Sequence, residues 1–245
     1  MFDLHVTTGI VASVVCFLLY AVPILTFKRV IRKGSVEEFS CIPYILTLFS
    51  NLTYTWYGLP VVSSGWENWT LSGISSIGVL FSSTFIIIYT WFAPRGKKKL
   101  IMMIVSPILI IVGSAVLLSS FAMHTHQMRK AFVGSINLVA SVLMYGSPLV
   151  AVKQVIKTKS VEFMPFYLSL FTFLTSLLWM LYGILGRDPF LTAPSAIGCL
   201  MGIIQLIVYC IYSKCKEAPK TNPDIERADV IKVSASQEDT KGQKP

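Results

Sequence analysis

The chain has 245 residues, of which 54% are hydrophobic and 13% charged, with a net charge of +9 and a mean hydropathy of +0.67. An ordinary soluble domain carries about a quarter charged residues, so a soluble globular fold is excluded. The basic residues are spread over three short loops and a C-terminal tail. They therefore report membrane topology and attraction to anionic lipid, and no nucleic-acid partner is expected.

Asp, Glu, Lys and Arg are absent from residues 4–27, 39–66, 68–94, 100–128, 131–152, 163–186 and 189–213. A bilayer core of about 30 Å is crossed by about 20 apolar helical residues, because a helix satisfies its own backbone where lipid offers no partner. The sequence thus predicts an all-α polytopic membrane protein with seven transmembrane helices. The first window is not a cleaved signal peptide, since Asp3 precedes it and it lacks a basic leader. Lys28, Arg29, Arg32 and Lys33 follow span 1; Arg95, Lys97, Lys98 and Lys99 follow span 3; Lys153, Lys157 and Lys159 follow span 5. Seven more basic residues lie in the tail, leaving Arg129, Lys130 and Arg187 for the opposite side. The positive-inside rule places the N-terminus outside and the tail in the cytosol; the plasma membrane is the expected location because no readable sorting signal points elsewhere. The tail, 214–245, mixes charges of both signs without aromatic residues, the composition of a disordered segment. The five cysteines form no disulfide framework, and no metal spacing is present, so neither metal nor cofactor is expected. Asn68-Trp69-Thr70 is a glycosylation sequon, although an unmodified surface Asn is an equal reading.

The chain contains an internal repeat. Pro23 to Glu37 matches Pro148 to Glu162 without a gap at an offset of 125 residues; Pro43-Tyr44 then matches Pro165-Phe166, Tyr57-Gly58 matches Tyr182-Gly183, and Ser72 is set against Ser195. Each unit has three helices, 5–93 and 130–213, and the intervening helix, 100–124, adds the crossing that makes the units parallel. Parallel repeats are a transporter plan, with substrate held near the midplane where the halves meet. Pro23, Pro43, Pro148 and Pro165 fall at one depth on the cytosolic side and could hinge an inner gate, since proline removes a helical hydrogen bond. For Pro43 and Pro165 a place in the first helical turn is the alternative. Pro94 reads as a helix terminator.

The run Lys157-Thr-Lys-Ser-Val-Glu-Phe-Met-Pro165, the segment Tyr182-Gly-Ile-Leu-Gly-Arg-Asp-Pro189 and the opening Pro23-Ile-Leu-Thr-Phe-Lys28 resemble the SWEET family of sugar transporters over residues 5–213. The resemblance implies a bidirectional facilitator of two three-helix bundles, a proline tetrad, and homo-oligomers or hetero-oligomers with related transporters. It also implies a sugar site in which the family's two asparagines are replaced by Ser72 and Ser195. Trp179 matches the family's stacking tryptophan, Tyr54 the opposite wall, and Tyr57 and Asp188 the outer gate. Asn51 is a further polar residue for substrate or for a neighbouring helix. Ser offers one short hydroxyl where Asn offers an amide, so the replaced pair opens the alternative of a non-sugar substrate such as gibberellin.

Coupled transport commonly requires an ionisable group inside the membrane, and none lies deep in these windows; His5, His124 and His126 read as interfacial. Downhill uniport is expected. A seven-helix receptor would not explain the repeat, and a membrane enzyme would need an acid/base or nucleophile constellation that the windows lack, so no catalysis is expected.

Overall fold

The computed structural model describes residues 2–36, 39–159 and 166–213. These residues form α1 (Phe2–Ala21), α2 (Pro23–Lys33), α3 (Ile42–Tyr57), α4 (Trp69–Phe92), α5 (Arg95–Leu117) with a π-helical turn (Leu118–Ala122), α6 (His126–Met144), α7 (Gly146–Thr158), α8 (Phe166–Leu185) and α9 (Pro189–Ser213). No strand occurs among the described residues. Pro165 and the tail 214–245 lie outside them.

Six segments are long and apolar enough to cross a membrane: Leu4–Lys33, Trp69–Phe92, Arg95–Ala122, His126–Thr158, Phe166–Leu185 and Pro189–Ser213. The seventh crossing is α3, whose 16 residues span about 24 Å at the helical rise of about 1.5 Å per residue. It is shorter than the 39–66 window suggested. From Gly58 the chain leaves the helix, with Leu59 N–H donating to Trp56 O at 3.2 Å and Val62 N–H to Leu59 O at 3.0 Å. The apolar residues after Tyr57 thus build a folded lip instead of more helix.

Within the first unit α3 packs on α4, and α1 and α2 also meet α4; within the second, α8 and α6 pack on α9, as does α7. The two parallel bundles join along α1/α8 and α3/α6, and α5 lies against α3. The indole N–H of Trp56 donates to Ser119 in the π-helical turn (2.9 Å), which fastens α5 to α3.

The first span is broken where proline predicts it. Pro23 has no N–H, α1 stops at Ala21, and Val22 N–H turns back to Leu19 O at 3.3 Å. In the second unit the break falls at Tyr145, three residues before Pro148. Pro94 caps the start of α5 in extended conformation, as a terminator should. Pro43 sits in the first turn of α3, where its missing donor costs little.

Buried apolar residues fall in three clusters. One, around Phe27, Ile45, Phe49, Phe85 and Tyr89, belongs to the first bundle and α5, with Ala140 of α6 at its edge. A second, around Val152, Val155 and Val208, belongs to the second bundle. The third joins Tyr57, Val62 and Leu71 of the first bundle to Val133, Tyr182 and Leu191 of the second. It lies on the side away from the basic loops, here called the far side. Among the described residues the bundles therefore share a substantial core on the far side, while on the basic side each has its own core, joined only at the edge by Ala140.

Candidate transport pathway

Four glycines fix how the two units correspond. A Cβ on Gly58 would lie 2.8 Å from the Ser72 Cβ, and one on Gly183 would lie 2.6 Å from Thr192 Oγ1. Likewise Gly78 would meet the Asn51 side chain at 2.5 Å, and Gly198 would meet Ser176 Oγ at 2.5 Å. Gly58 and Gly183, like Asn51 and Ser176, are related by 125 residues, so their contacts place Ser72 opposite Thr192 and Gly78 opposite Gly198, an offset of 120 in the third helix of each unit. The repeat-mate of Ser195 is therefore Ser75. The pairing of Ser72 with Ser195 is displaced by three residues, about one turn, because the loop before α4 is five residues longer than its counterpart before α9.

The side chains agree with this register. Ser72 donates to Thr55 O at 3.0 Å, so its hydroxyl serves the close packing of α4 on α3. Ser75 and Ser195 are both buried. At the same level, Tyr20 donates to Asn51 Oδ1 at 2.7 Å. Its repeat-mate Tyr145 faces the shorter Ser176 and donates instead to Pro194 O at 3.0 Å. Tyr54 and Trp179, also related by 125 residues, are half-buried and pack on the far-side cluster. Trp179 meets Tyr182 edge-on, with centroids 5.2 Å apart at 79°. Cys16 faces Tyr20 and Trp179, and the Tyr54 hydroxyl faces Ser141 and Asn137. Asn137 is buried and shares a 2.9 Å hydrogen bond with Thr53 across the α3/α6 seam. A layer of hydroxyls, amides and aromatic faces thus lies between the bundles, in which Tyr20 answers Tyr145, Asn51 Ser176, Tyr54 Trp179, Cys16 Ser141 and Ser75 Ser195, while Asn137 has Ala12 as its repeat-mate.

Of the residues singled out from sequence, Asn51, Tyr54, Trp179 and Ser195 fall in this layer, and Ser72 lies one turn farther out. Tyr20, Tyr145, Ser75, Ser141 and Asn137 were missed. Tyr20 and Tyr145 precede the matched prolines by three residues, and that shared spacing was the available signal.

The far side is closed by a second set of paired contacts. Tyr57 O–H donates to the Asp188 carboxylate at 2.7 Å, and Tyr182 O–H faces Asn68 Oδ1 at 3.2 Å and Glu67 O at 3.0 Å. Tyr57 and Tyr182 are repeat-mates, and Asn68 and Asp188 precede α4 and α9 at equivalent positions. Each bundle's tyrosine reaches the other bundle's helix-start residue. Asp188 is 5% exposed, and a buried carboxylate is tolerated only when its charge is answered. Phe190 N–H donates to it at 3.1 Å, and Lys130 lies 3.6 Å away while also ion-pairing with Glu67. Asp188 is thus a buried, multiply contacted carboxylate at the far-side seam between the bundles.

Two sequence expectations change here. Asn68 is 3% exposed, with its amide N–H donating to Ser63 at 3.0 Å and its carbonyl facing Tyr182. In this conformation a glycan has no room on Asn68. His5, read as a solvated interfacial residue, is buried and stacks on Tyr182 at 4.0 Å and 22°. Its immediate place is beneath the gate, packed against residues that sequence periodicity leaves far apart. Of the four basic-side prolines, Pro23 lies in α2, Pro43 in α3 and Pro148 in α7, and Pro165 lies outside the described residues.

Two parallel bundles around a pseudo-twofold axis, a polar and aromatic layer between them and a far side closed by paired tyrosine contacts define a membrane carrier for a small solute. A family model described as "Sugar efflux transporter for intercellular exchange" matches residues 6–97 and 131–217, once on each unit, and the chain belongs to this SWEET family. It is 66% identical to the bidirectional sugar transporter SWEET3a of rice, Oryza sativa subsp. japonica, over 99% of each chain. It is 48% identical to the bidirectional sugar transporter SWEET3 of Arabidopsis thaliana, over 92% of this chain and 86% of that one. A solved eukaryotic SWEET transporter superposes with a TM-score of 0.80 at 32% identity, covering 87% of this chain and 99% of that chain.

Proposed function

We propose that this protein is a bidirectional, energy-independent sugar uniporter working by alternating access. The observation that carries the reading is the uneven joining of the bundles: a shared core and two crossed tyrosine contacts on the far side, separate cores on the basic side. Rocking one parallel unit against the other exposes the layer between them to each side in turn. The layer offers hydroxyls and amides for sugar hydroxyls, and Tyr54 and Trp179 for the apolar face of a ring. Its binding set is Asn51, Tyr54, Trp179, Ser195 and Ser75, with Ser72 supporting from the adjacent turn.

The membrane layer itself holds no carboxylate among the described residues; Glu67 and Asp188 sit at the far-side gate. This supports uniport driven by the solute gradient. The charge asymmetry supports an extracellular N-terminus and a cytosolic C-terminus, and residence in the plasma membrane belongs to the same proposal because no sorting signal in the sequence points elsewhere. The repeat units are 5–93 and 130–213, flanking the linker 100–124, and the working form is a homo-oligomer. Gibberellin is not retained as the substrate, since the relatives compared are named as sugar transporters.

The test is efflux of preloaded, labelled glucose and sucrose from oocytes at two external pH values. Sugar efflux insensitive to pH supports the reading. Concentrative uptake after a pH jump would refute uniport, and a surface-expressed protein silent on both sugars would refute the substrate class.

A further inference from the structure

We propose that the groove between α2 and α4 is a binding site for one anionic phospholipid of the leaflet on the basic side. The groove has a volume of about 650 Å³. Its floor is Phe27 and Phe85, stacked at 4.6 Å and 11°, and its walls include Ile24, Ile31 and Leu80, which are 45%, 52% and 68% exposed. These walls belong to membrane-crossing segments, so the groove opens sideways into hydrocarbon. Lys28 and Arg32 line its end one helical turn apart, and both are exposed without an ion-pair partner among the described residues.

The two features together select the occupant. An apolar, laterally open channel accepts an acyl chain, and two cations at the end where the basic loops emerge accept a headgroup phosphate. A soluble phosphate would meet the cations but leave the channel empty. A zwitterionic lipid would fill the channel with little net attraction to the cations. The groove between α1 and α4 on the far side makes the contrast: about 400 Å³, lined by Ile10, Val14, Phe17 and Trp69 among others, with no charged residue. Of these two grooves, the α2/α4 groove is the one that combines both parts. Because α2 lies beyond the break before Pro23, a lipid spanning α2 and α4 holds the segment that the hinge would move.

The experiment uses the full chain in detergent, with native mass spectrometry and thermal unfolding in the presence of phosphatidylglycerol, phosphatidylcholine or soluble glycerol phosphate. Wild type should retain one phosphatidylglycerol per protomer and gain several degrees in Tm, as a ligand of the folded state does, with little effect from the other two. K28Q/R32Q, two exposed substitutions, should keep its lipid-free Tm and lose the preference. Leu80→Trp, which fills the wall, should lose retention while keeping both cations. Equal retention of the two lipids by wild type would overturn the proposal. So would an equal shift from glycerol phosphate, an undiminished preference in K28Q/R32Q, or a dimer whose loss tracks that variant.

Discussion

Removing one oxygen from the far-side gate should change which side of the membrane the substrate layer faces. Tyr57→Phe keeps the ring in the shared core and deletes the hydroxyl that donates to Asp188 at 2.7 Å. A hydrogen bond to a charged group contributes about 1.5–3 kcal/mol, and about 1.4 kcal/mol is a tenfold change in an equilibrium. Phe190 N–H and Lys130 still face Asp188 in the variant, so the lost contact is the one made across the closed far side. The open-to-closed ratio on the far side should therefore rise about 10- to 100-fold. Cys16, buried beside Tyr20 and Trp179, is a native reporter beneath the gate. In intact cells a membrane-impermeant thiol reagent should label it at least several-fold faster in Tyr57→Phe than in wild type, with Cys16→Ser as the blank. Tyr182→Phe removes a neutral contact, worth about 0.5–1.5 kcal/mol, and should raise labelling less. Unchanged labelling in Tyr57→Phe, or a larger effect from Tyr182→Phe, would refute the unequal closed-state roles assigned to the two contacts.

Other consequences can be checked in parallel. Gly58→Ala puts a Cβ 2.8 Å from backbone Asn68 O and should destabilise by about 1–3 kcal/mol, lowering Tm or surface expression, whereas Gly73→Ala, with nothing within 4 Å of its Cβ, should leave both unchanged. Replacing Ser75 and Ser195 together by Asn should raise glucose flux, whereas Asn at 72 should not, because the Ser72 hydroxyl is spent on Thr55 O; equal gains at 72 and 75 would contradict the register. Pro23→Ala restores a helical donor at the break between α1 and α2 and should lower flux per surface transporter more than Pro43→Ala, which sits in a first turn. Treatment with an N-glycosidase should leave the mobility of the surface-expressed chain unchanged, as Asn68 is buried in the closed gate.

The charge-free windows made the crossings legible, and the matched prolines made the repeat legible, because both signals are local runs of sequence. The end of α3 was not legible: residues 58–66 are as free of charge as a helix core, and only the turn at Gly58 shows that they fold into a lip. The same lip carries the five extra residues that displaced the repeat pairing from Ser75 to Ser72. Tyr57 and Asp188 entered through family resemblance, while Lys130, Glu67 and His5 did not, since their meeting depends on how the starts of α1 and α6 converge with the loop before α4. The direction of Asn68 was hidden for a simpler reason. A sequon reads identically whether its asparagine points to solvent or into a gate.

That longer lip has a consequence for how the mouth opens. Arg129 at the start of α6 donates to Val61 O at 2.8 Å and to Met123 O at 3.0 Å, and His126 Nδ1 meets Val62 O at 3.2 Å. The lip of the first unit is thereby tied to the beginning of the second unit along the α3/α6 edge. Along α1/α8 the corresponding chain end contributes His5, which rests on Tyr182 by ring stacking and leaves its Nε2 without a hydrogen bond. On the alternating-access reading, parting of the tyrosine contacts would leave the strapped edge as the spine of a book, with the cover lifting where His5 lies. A solute entering from the far side would pass along the α1/α8 margin, so the internal duplication yields a doorway with a fixed jamb and a swinging side.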